Sequence, residues 1–415
     1  MLTGFKDRKY ALIGDARVYD LPSKIHGMLA DYGYSYIEAD AAELKNVLSD
    51  NEYSGFNLFF RASKDILPHL SELSPMASRV GCVNTVIRRG EDLVGYNTDY
   101  YAFDRLLATN NIDPSGKKVI ILGTGPMIKT LGAVFSDRGA DDIVTLSQRE
   151  AKDPATLGMH DDTALIVNAT TVGMIPDFTS SPVDLRYFTG LEAVIDVICD
   201  PFRTELMLEA EEYGIPAIGG FEMLTSNCKS SCELFTERKL TELAVGRAGA
   251  SLEAQLKNIV LVGMPGCGKS VIARELARAL GRTAIDTDDE VSRAVGLGIP
   301  EIFEIFGEEY FRQKEAEIIK KVARGDSAVC AGGAGAILRT DNIKELRRKS
   351  TVVFLRRETE RLVLSDGDRR RRRDVLTRIY KERMPLYLAA SDVIVDVGET
   401  PKDTVRSIIK AIYKK

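Results

Sequence analysis

Eight residues, Gly263-Met-Pro-Gly-Cys-Gly-Lys-Ser270, constrain this chain more than any others. They match the spacing G-x-x-x-x-G-K-[ST]. Before them runs Asn258-Ile-Val-Leu-Val262, an apolar and largely β-branched strand pattern. After them an amphipathic helix pattern extends through Leu280. Strand, glycine turn and helix N-terminus in that order make a cradle for phosphate. Glycines let successive backbone N–H groups turn inward around phosphate oxygens, and the helix end adds partial positive charge. Lys269 places a full charge beside the β- and γ-phosphates, and the Ser270 hydroxyl is a ligand for magnesium. Gly266, Cys267, Gly268, Lys269, Ser270 and Val271 are therefore the expected contacts of ATP with Mg2+. The competing reading is a glycine-rich turn without a ligand.

Strand and helix patterns alternate along most of the 415 residues. Tyr10 to Ile13 is a short apolar run ending at Gly14. Lys118 to Leu122, Asp142 to Leu146, Ala164 to Val167 and Ala193 to Asp196 continue the series. Leu243 to Ser251 is rich in small residues and reads as a connector. Beyond it, further strands are expected at Ala328 to Cys330, Thr351 to Leu355 and Val393 to Val395. Such alternation predicts an α/β chain with parallel sheets covered by helices. The expected boundaries are a substrate domain at 1–105 and a Rossmann-like dinucleotide-binding domain at 106–245, a C-terminal helix of which packs back on the first. A linker at 246–255 and a P-loop domain of the nucleoside-monophosphate-kinase kind at 256–415 follow.

Composition excludes several function classes. With 56 basic and 61 acidic residues, the net charge of −5 gives no electrostatic reason to expect nucleic acid or an anionic membrane as partner. No apolar run approaches the ~18 residues needed to span a bilayer, and the first residues lack a secretory pattern. A cytoplasmic protein is the expectation, and a homodimer is one assembly considered for it. Cys82, Cys199, Cys228, Cys232, Cys267 and Cys330 are scattered and read as buried thiols of a reducing compartment. Only three histidines are present, which disfavours a closed zinc site and a His-centred triad.

Downstream of the phosphate loop stands Ile285-Asp-Thr-Asp-Asp289. Carboxylates spaced i, i+2 at a strand end point the same way. Asp286 suits a magnesium shell, and Asp288 suits an acceptor hydroxyl that it orients or deprotonates. The alternative is a solvated acidic turn. In Ile302-Phe-Glu-Ile-Phe-Gly-Glu-Glu-Tyr-Phe-Arg312 the aromatic residues at helical spacing are expected to be mostly core. Arg312 would pair bidentately with an acceptor carboxylate. Ala331-Gly-Gly-Ala-Gly335 lets a ring-sized ligand approach the backbone. The run Asp368 to Arg373 reads beside a nucleotide fold as a mobile lid; in isolation it is a solvated face.

These motifs, with Arg383-Met-Pro-Leu-Tyr387, resemble the shikimate kinases over about 160 residues, from Asn258 to the end. The resemblance implies transfer of phosphoryl from ATP to the shikimate 3-hydroxyl. It implies that Lys269 and Asp288 are catalytic, that Asp288, Arg312, Gly332, Gly333 and Arg383 hold shikimate, that Ser270 and Asp286 serve the metal and that Arg369 touches ATP from the lid. Ala334 departs from the family, which has a third glycine there.

The front half carries Leu122-Gly-Thr-Gly-Pro-Met-Ile128, a partial G-x-G-x-x-G/A match. Gly123 and Gly125 fit, and Ile128 does not. Arg149, after the next strand, suits the 2′-phosphate of NADP. Val80 to Thr85, Gly95 to Asp99, Val167 to Met174 and Gly219 to Leu224 resemble the shikimate dehydrogenases in order and spacing, over about 240 residues. The resemblance implies a substrate site with Lys64, Asn84, Asp99 and Asn227, and NADP contacts at Gly123, Gly125, Arg149 and Gly220. Several positions depart from that pattern. Asp20 and Pro22 stand where the family has two serines that bind a carboxylate. Phe59 replaces a threonine, and Ser63 takes the register of the catalytic lysine. Lys64 falls one residue later, about 100° away on a helix. Cys199 replaces a substrate-facing tyrosine. The expectation is a shikimate kinase with an impaired dehydrogenase-like front. A fully bifunctional enzyme and a kinase controlled by a ligand-sensing front module are the alternatives.

Overall fold

Runs of β-branched and aliphatic residues become the strands of three sheets. A computed structural model describes residues 1–14, 20–39, 42–59, 65–333, 335–362 and 369–413, the last stretch without the side chains of 369–375. It divides into two units, Met1–Leu252 and Glu253–Lys415.

The front unit holds two of the sheets. β1 (Lys9–Ile13), β2 (Gly33–Ile37), β3 (Tyr53–Leu58), β4 (Glu72–Leu73), β5 (Thr85–Arg89) and β6 (Asp92–Tyr96) form one, in the order β2-β1-β3-β5-β6-β4. This sheet corrects the purely parallel expectation. β5 runs antiparallel to both β3 and β6. Its hairpin turns at Gly90, whose φ of 64° suits a residue without a Cβ. β7 (Lys118–Leu122), β8 (Asp142–Leu146), β9 (Leu165–Asn168), β10 (Ala193–Asp196) and β11 (Ala217–Gly219) form the second sheet, in the order β11-β10-β9-β7-β8, with parallel pairing throughout. Val119 and Ile121 pack beneath Leu131, Val134 and Phe135 of the Met127–Asp137 helix, giving this sheet one of its two apolar faces. The Gly220–Thr236 helix returns to the first sheet, where Phe235 stacks on Tyr10 at 4.0 Å.

The rear unit is one parallel sheet of β12 (Asn258–Val262), β13 (Thr283–Asp286), β14 (Ala328–Ala331), β15 (Ser350–Arg356) and β16 (Val393–Asp396), ordered β13-β14-β12-β15-β16. β12 is buried along its whole length, with helices on both faces. A central strand so covered must be apolar throughout, which explains its unbroken Ile-Val-Leu-Val run.

Two local expectations need correction. The small-residue connector lies in a helix, Glu242–Leu256, because its alanines and leucines favour helix more than its glycines oppose it. The aromatic stretch near Arg312 is only partly core. Ile302 and Phe311 are buried, whereas Phe303, Ile305 and Phe306 are 36%, 61% and 49% exposed. The cause is Gly307, at φ 83° and ψ 170° inside the Ile299–Arg324 span. That break in the helical spiral gives the residues before it a different face from those after it.

Candidate functional site

The rear site assembles at the C-terminal ends of β12, β13 and β14. β12 feeds the phosphate loop, in which Gly266 and Gly268 have φ of 77° and 99°. Side chains rarely adopt that conformation, so both positions require glycine. Gly268 caps the Lys269–Leu280 helix, placing Ser270 and Val271 in its first turn. Lys269 Nζ donates to the carbonyls of Gly263 at 2.9 Å and Met264 at 3.2 Å. Cys267 is fully buried, and burial pushes its thiol up.

β13 ends in Asp286, whose Oδ1 accepts from the Asp288 N–H at 3.1 Å and so caps the Thr287–Val295 helix. Thr287 Oγ1 accepts from Gly333 N–H at 2.8 Å and donates to Ala331 at 3.3 Å, tying this turn to the end of β14. Gly332 N–H is held by Leu261 at 2.9 Å. The next residue explains the glycine pair. A Cβ on Gly333 would stand 2.5 Å from Asp288 Oδ1 and 2.5 Å from Glu315 Oε1, so two carboxylates converge on a residue without a side chain. A Cβ on Gly335 would run into the Arg312 guanidinium. Arg312 is bound in turn by Glu315 at 2.8 Å and by Glu308 at 3.1 Å.

Burial and the neighbouring charge of Asp286 raise the Asp288 carboxyl, while Lys269 and Arg312 pull it down. Burial likewise raises Glu315, against its bond to Arg312. Arg383 lies within electrostatic reach of Glu315. The structure thus gathers Asp288, Arg312 and Gly333 and connects Arg383 to them through Glu315. Sequence reasoning missed Glu315. Its signal was the i, i+3 spacing from Arg312, yet a glutamate in a charged helix gives no hint of complete burial. The lid segment 363–368 and the Arg369 side chain lie outside the described residues, as does Ala334.

The front site presents a mixed picture. Asp99 opens the Asp99–Thr109 helix, and its Oδ1 accepts from Asn227 Nδ2 at 2.5 Å. Asn84 bonds the same carboxylate, and its own Oδ1 accepts from Thr98 N–H at 2.8 Å. Burial pushes the Asp99 carboxyl up to about 6 despite those bonds. Asn84, Asp99 and Asn227 therefore do meet, while Lys64 and Ser63 lie outside the described residues. Asp20 begins the Asp20–Leu29 helix with its carboxylate exposed and paired to Lys24 at 2.6 Å, and Pro22 is buried. Asn57 is committed to Thr85 at 3.0 Å and to the Tyr34 hydroxyl at 2.9 Å.

At the dinucleotide turn, Gly123 has φ 132°, and a Cβ there would lie 3.0 Å from the Ala169 carbonyl and 3.3 Å from Ile128 Cδ1. The isoleucine folds over the turn that a small third residue would leave open. Pro126 is the N-cap of the following helix, so that position has no N–H for a phosphate. Arg149 is exposed after β8, next to Glu150, whose carboxylate takes both the N–H and hydroxyl of Ser147 at 2.8 and 2.6 Å. Gly220 has a packing reason of its own, because a Cβ would collide with the Val197 carbonyl at the end of β10.

The sequence pattern described as shikimate kinase matches residues 265–413. A shikimate kinase from Nitrosomonas europaea is 37% identical over 169 residues, covering 38% of this chain and 77% of that protein. The chain belongs to the shikimate kinase family. Its front matches a second family. A shikimate dehydrogenase (NADP(+)) from Dehalococcoides mccartyi is 32% identical over 233 residues, covering 50% of this chain and 82% of that protein. A crystal structure of a chorismate mutase/shikimate 5-dehydrogenase fusion protein from Clostridium acetobutylicum superposes with a TM-score of 0.55 at 25% identity, covering 59% of this chain and 97% of that one. The chain is thus a fusion of a shikimate dehydrogenase-like front with a shikimate kinase rear.

Proposed function

We propose that the rear unit transfers the γ-phosphoryl of ATP to the 3-hydroxyl of shikimate. Gly266 to Val271 cradle the triphosphate, and Lys269 leaves the two carbonyls it now holds to neutralise the β- and γ-oxygens. Ser270 and Asp286 would hold Mg2+, which when bound would offset the negative charge of the phosphates. Asp288 accepts the hydroxyl proton in line with the leaving ADP. Arg312 binds the acceptor carboxylate by releasing exposed Glu308 while buried Glu315 keeps hold of it. Gly332 and Gly333 admit the ring, and Arg383 closes the acceptor side. The observation that carries this reading is the convergence of Asp288 and Glu315 on Gly333, beside an arginine and within the field of the phosphate-loop lysine.

The front unit contributes little or no hydride transfer in this proposal. An aspartate at position 20 repels a carboxylate, Pro22 supplies no hydroxyl, and the nucleotide turn lacks a donor at Pro126. The assembled Asn84–Asp99–Asn227 cluster favours the second reading, a bifunctional enzyme that also oxidises shikimate with NADP. Purified full-length chain is incubated with shikimate, with ATP–Mg2+ in one cuvette and NADP in another. ADP release without NADPH absorbance is expected, and Lys269→Ala should reduce it about 10³-fold. Absence of ADP at high shikimate overturns the proposal, and growing absorbance establishes the second reading.

A further inference from the structure

Tyr387 closes the sequence motif that begins at Arg383, and the chemistry above gives it no part. Its ring is 1% exposed and lies flat on Phe354 of β15, with centroids 5.0 Å apart and planes 6° from parallel. Its hydroxyl donates to the Gly263 carbonyl at 2.9 Å. That carbonyl already receives Lys269 Nζ at 2.9 Å. Arg383, one helical turn earlier, bonds the same tyrosine hydroxyl and sits in the field of Glu315. A continuous polar path therefore runs from the first glycine of the phosphate loop, through Tyr387 and Arg383, to Glu315 and Arg312.

We propose that Tyr387 is a positioning residue that keeps the phosphate loop open for nucleotide and ties it to the acceptor clamp. The proposal rests on the kinase reading above. A carbonyl oxygen has two lone pairs and accommodates two donors. When a triphosphate arrives, Lys269 exchanges the loop carbonyls for phosphate oxygens. Gly263 is buried, so without the Tyr387 hydroxyl its carbonyl would then be left with neither of these donors. Tyr387 stays on it, so the lysine transfers without leaving an unsatisfied group behind. Through the shared hydroxyl, Arg383 is fixed relative to the loop at the same moment. Nucleotide loading thereby preorders the acceptor side.

Tyr387→Phe tests this, because it keeps the ring and its stack on Phe354 and deletes only the hydroxyl. Calorimetric titration of the full chain with the non-hydrolysable analogue of ATP–Mg2+ should show binding weakened about 10-fold. Shikimate binding without nucleotide should change less than about 2-fold, and the gain in shikimate affinity on adding nucleotide should shrink. A purely structural tyrosine would weaken both ligands together or lower the unfolding temperature by many degrees. Either outcome overturns the inference, as does unchanged nucleotide affinity. Turnover is measured separately. A wild-type chain that binds nucleotide but releases no ADP with shikimate defeats the kinase reading, while the nucleotide titration still judges Tyr387.

Discussion

Two glycine turns follow interior strands of two parallel sheets, one after β12 in the rear unit and one after β7 in the front. Both strands are apolar after their first residue, and both turns lead into a helix. The rear turn carries two left-handed glycines, a lysine and a serine at the helix start. The front turn carries Pro126 at the helix cap and Ile128 against Gly123. The same backbone topology thus supports an anion cradle in one unit and an apolar, donor-poor turn in the other. Fold places the turn, and a few side chains and N–H groups decide whether phosphate is welcome there.

Three experiments sharpen or break that contrast. The largest effect is expected from Gly333→Ala, since the new methyl would press on Asp288 and Glu315 together. Kinase turnover should fall about 10²-fold while far-ultraviolet circular dichroism stays unchanged. Retained turnover would mean that the convergence of the two carboxylates is not the acceptor site.

A middling effect should follow from opening the front turn. The double substitution Pro126→Gly and Ile128→Ala restores an N–H and removes the overhanging side chain, and NADP binding measured by calorimetry should tighten about 10-fold. Tight NADP binding by the unaltered chain would erase the contrast between the turns.

The smallest effect concerns Asp99. Its carboxyl is raised from 3.8 to about 6, so the folded front holds a proton that the unfolded chain has released. The stability contributed by the neutral form is full below about pH 4 and is lost as pH rises through about 6. Asp99→Asn keeps an acceptor for Asn227 and removes the titration. It should stabilise the front unit at pH 7–8 on the order of 1–3 kcal/mol, seen as a rise of a few degrees in its calorimetric transition, with no gain near pH 4. Equal gains at both pH values would place the effect elsewhere.

Much of the fold was legible in the residues. Most strands of both parallel sheets announced themselves as β-branched runs, because a strand covered on two faces is largely apolar, whereas the short β11 and the partly exposed β13 carried no such run. The antiparallel hairpin of β5 and β6 was missed, although Arg89-Gly90-Glu91 between alternating apolar residues is a turn signal. The break at Gly307 was not legible. Its neighbours satisfy helical spacing locally, and only the backbone conformation shows where the spiral resets. At the site, the residues of short motifs were readable, since phosphate and hydroxyl chemistry demand particular groups at particular spacings. Glu315 and Tyr387 were not singled out, because their roles depend on burial and on partners distant in sequence. The front presented the converse problem. Asp20 and Pro22 were visible as departures, but the way Ile128 leans over Gly123 needed three dimensions.

Glu315 has a consequence for inhibitor chemistry. Its Oε1 has no hydrogen-bond partner among the described residues, and its side chain has no exposure to solvent. A compound that aims an N–H or O–H at that oxygen would gain a charge-assisted bond that bulk water does not compete for. One that caps it with a hydrocarbon would leave the penalty in place. Ranking acceptor-mimicking scaffolds by whether they carry such a donor is therefore a rational first filter for medicinal chemists.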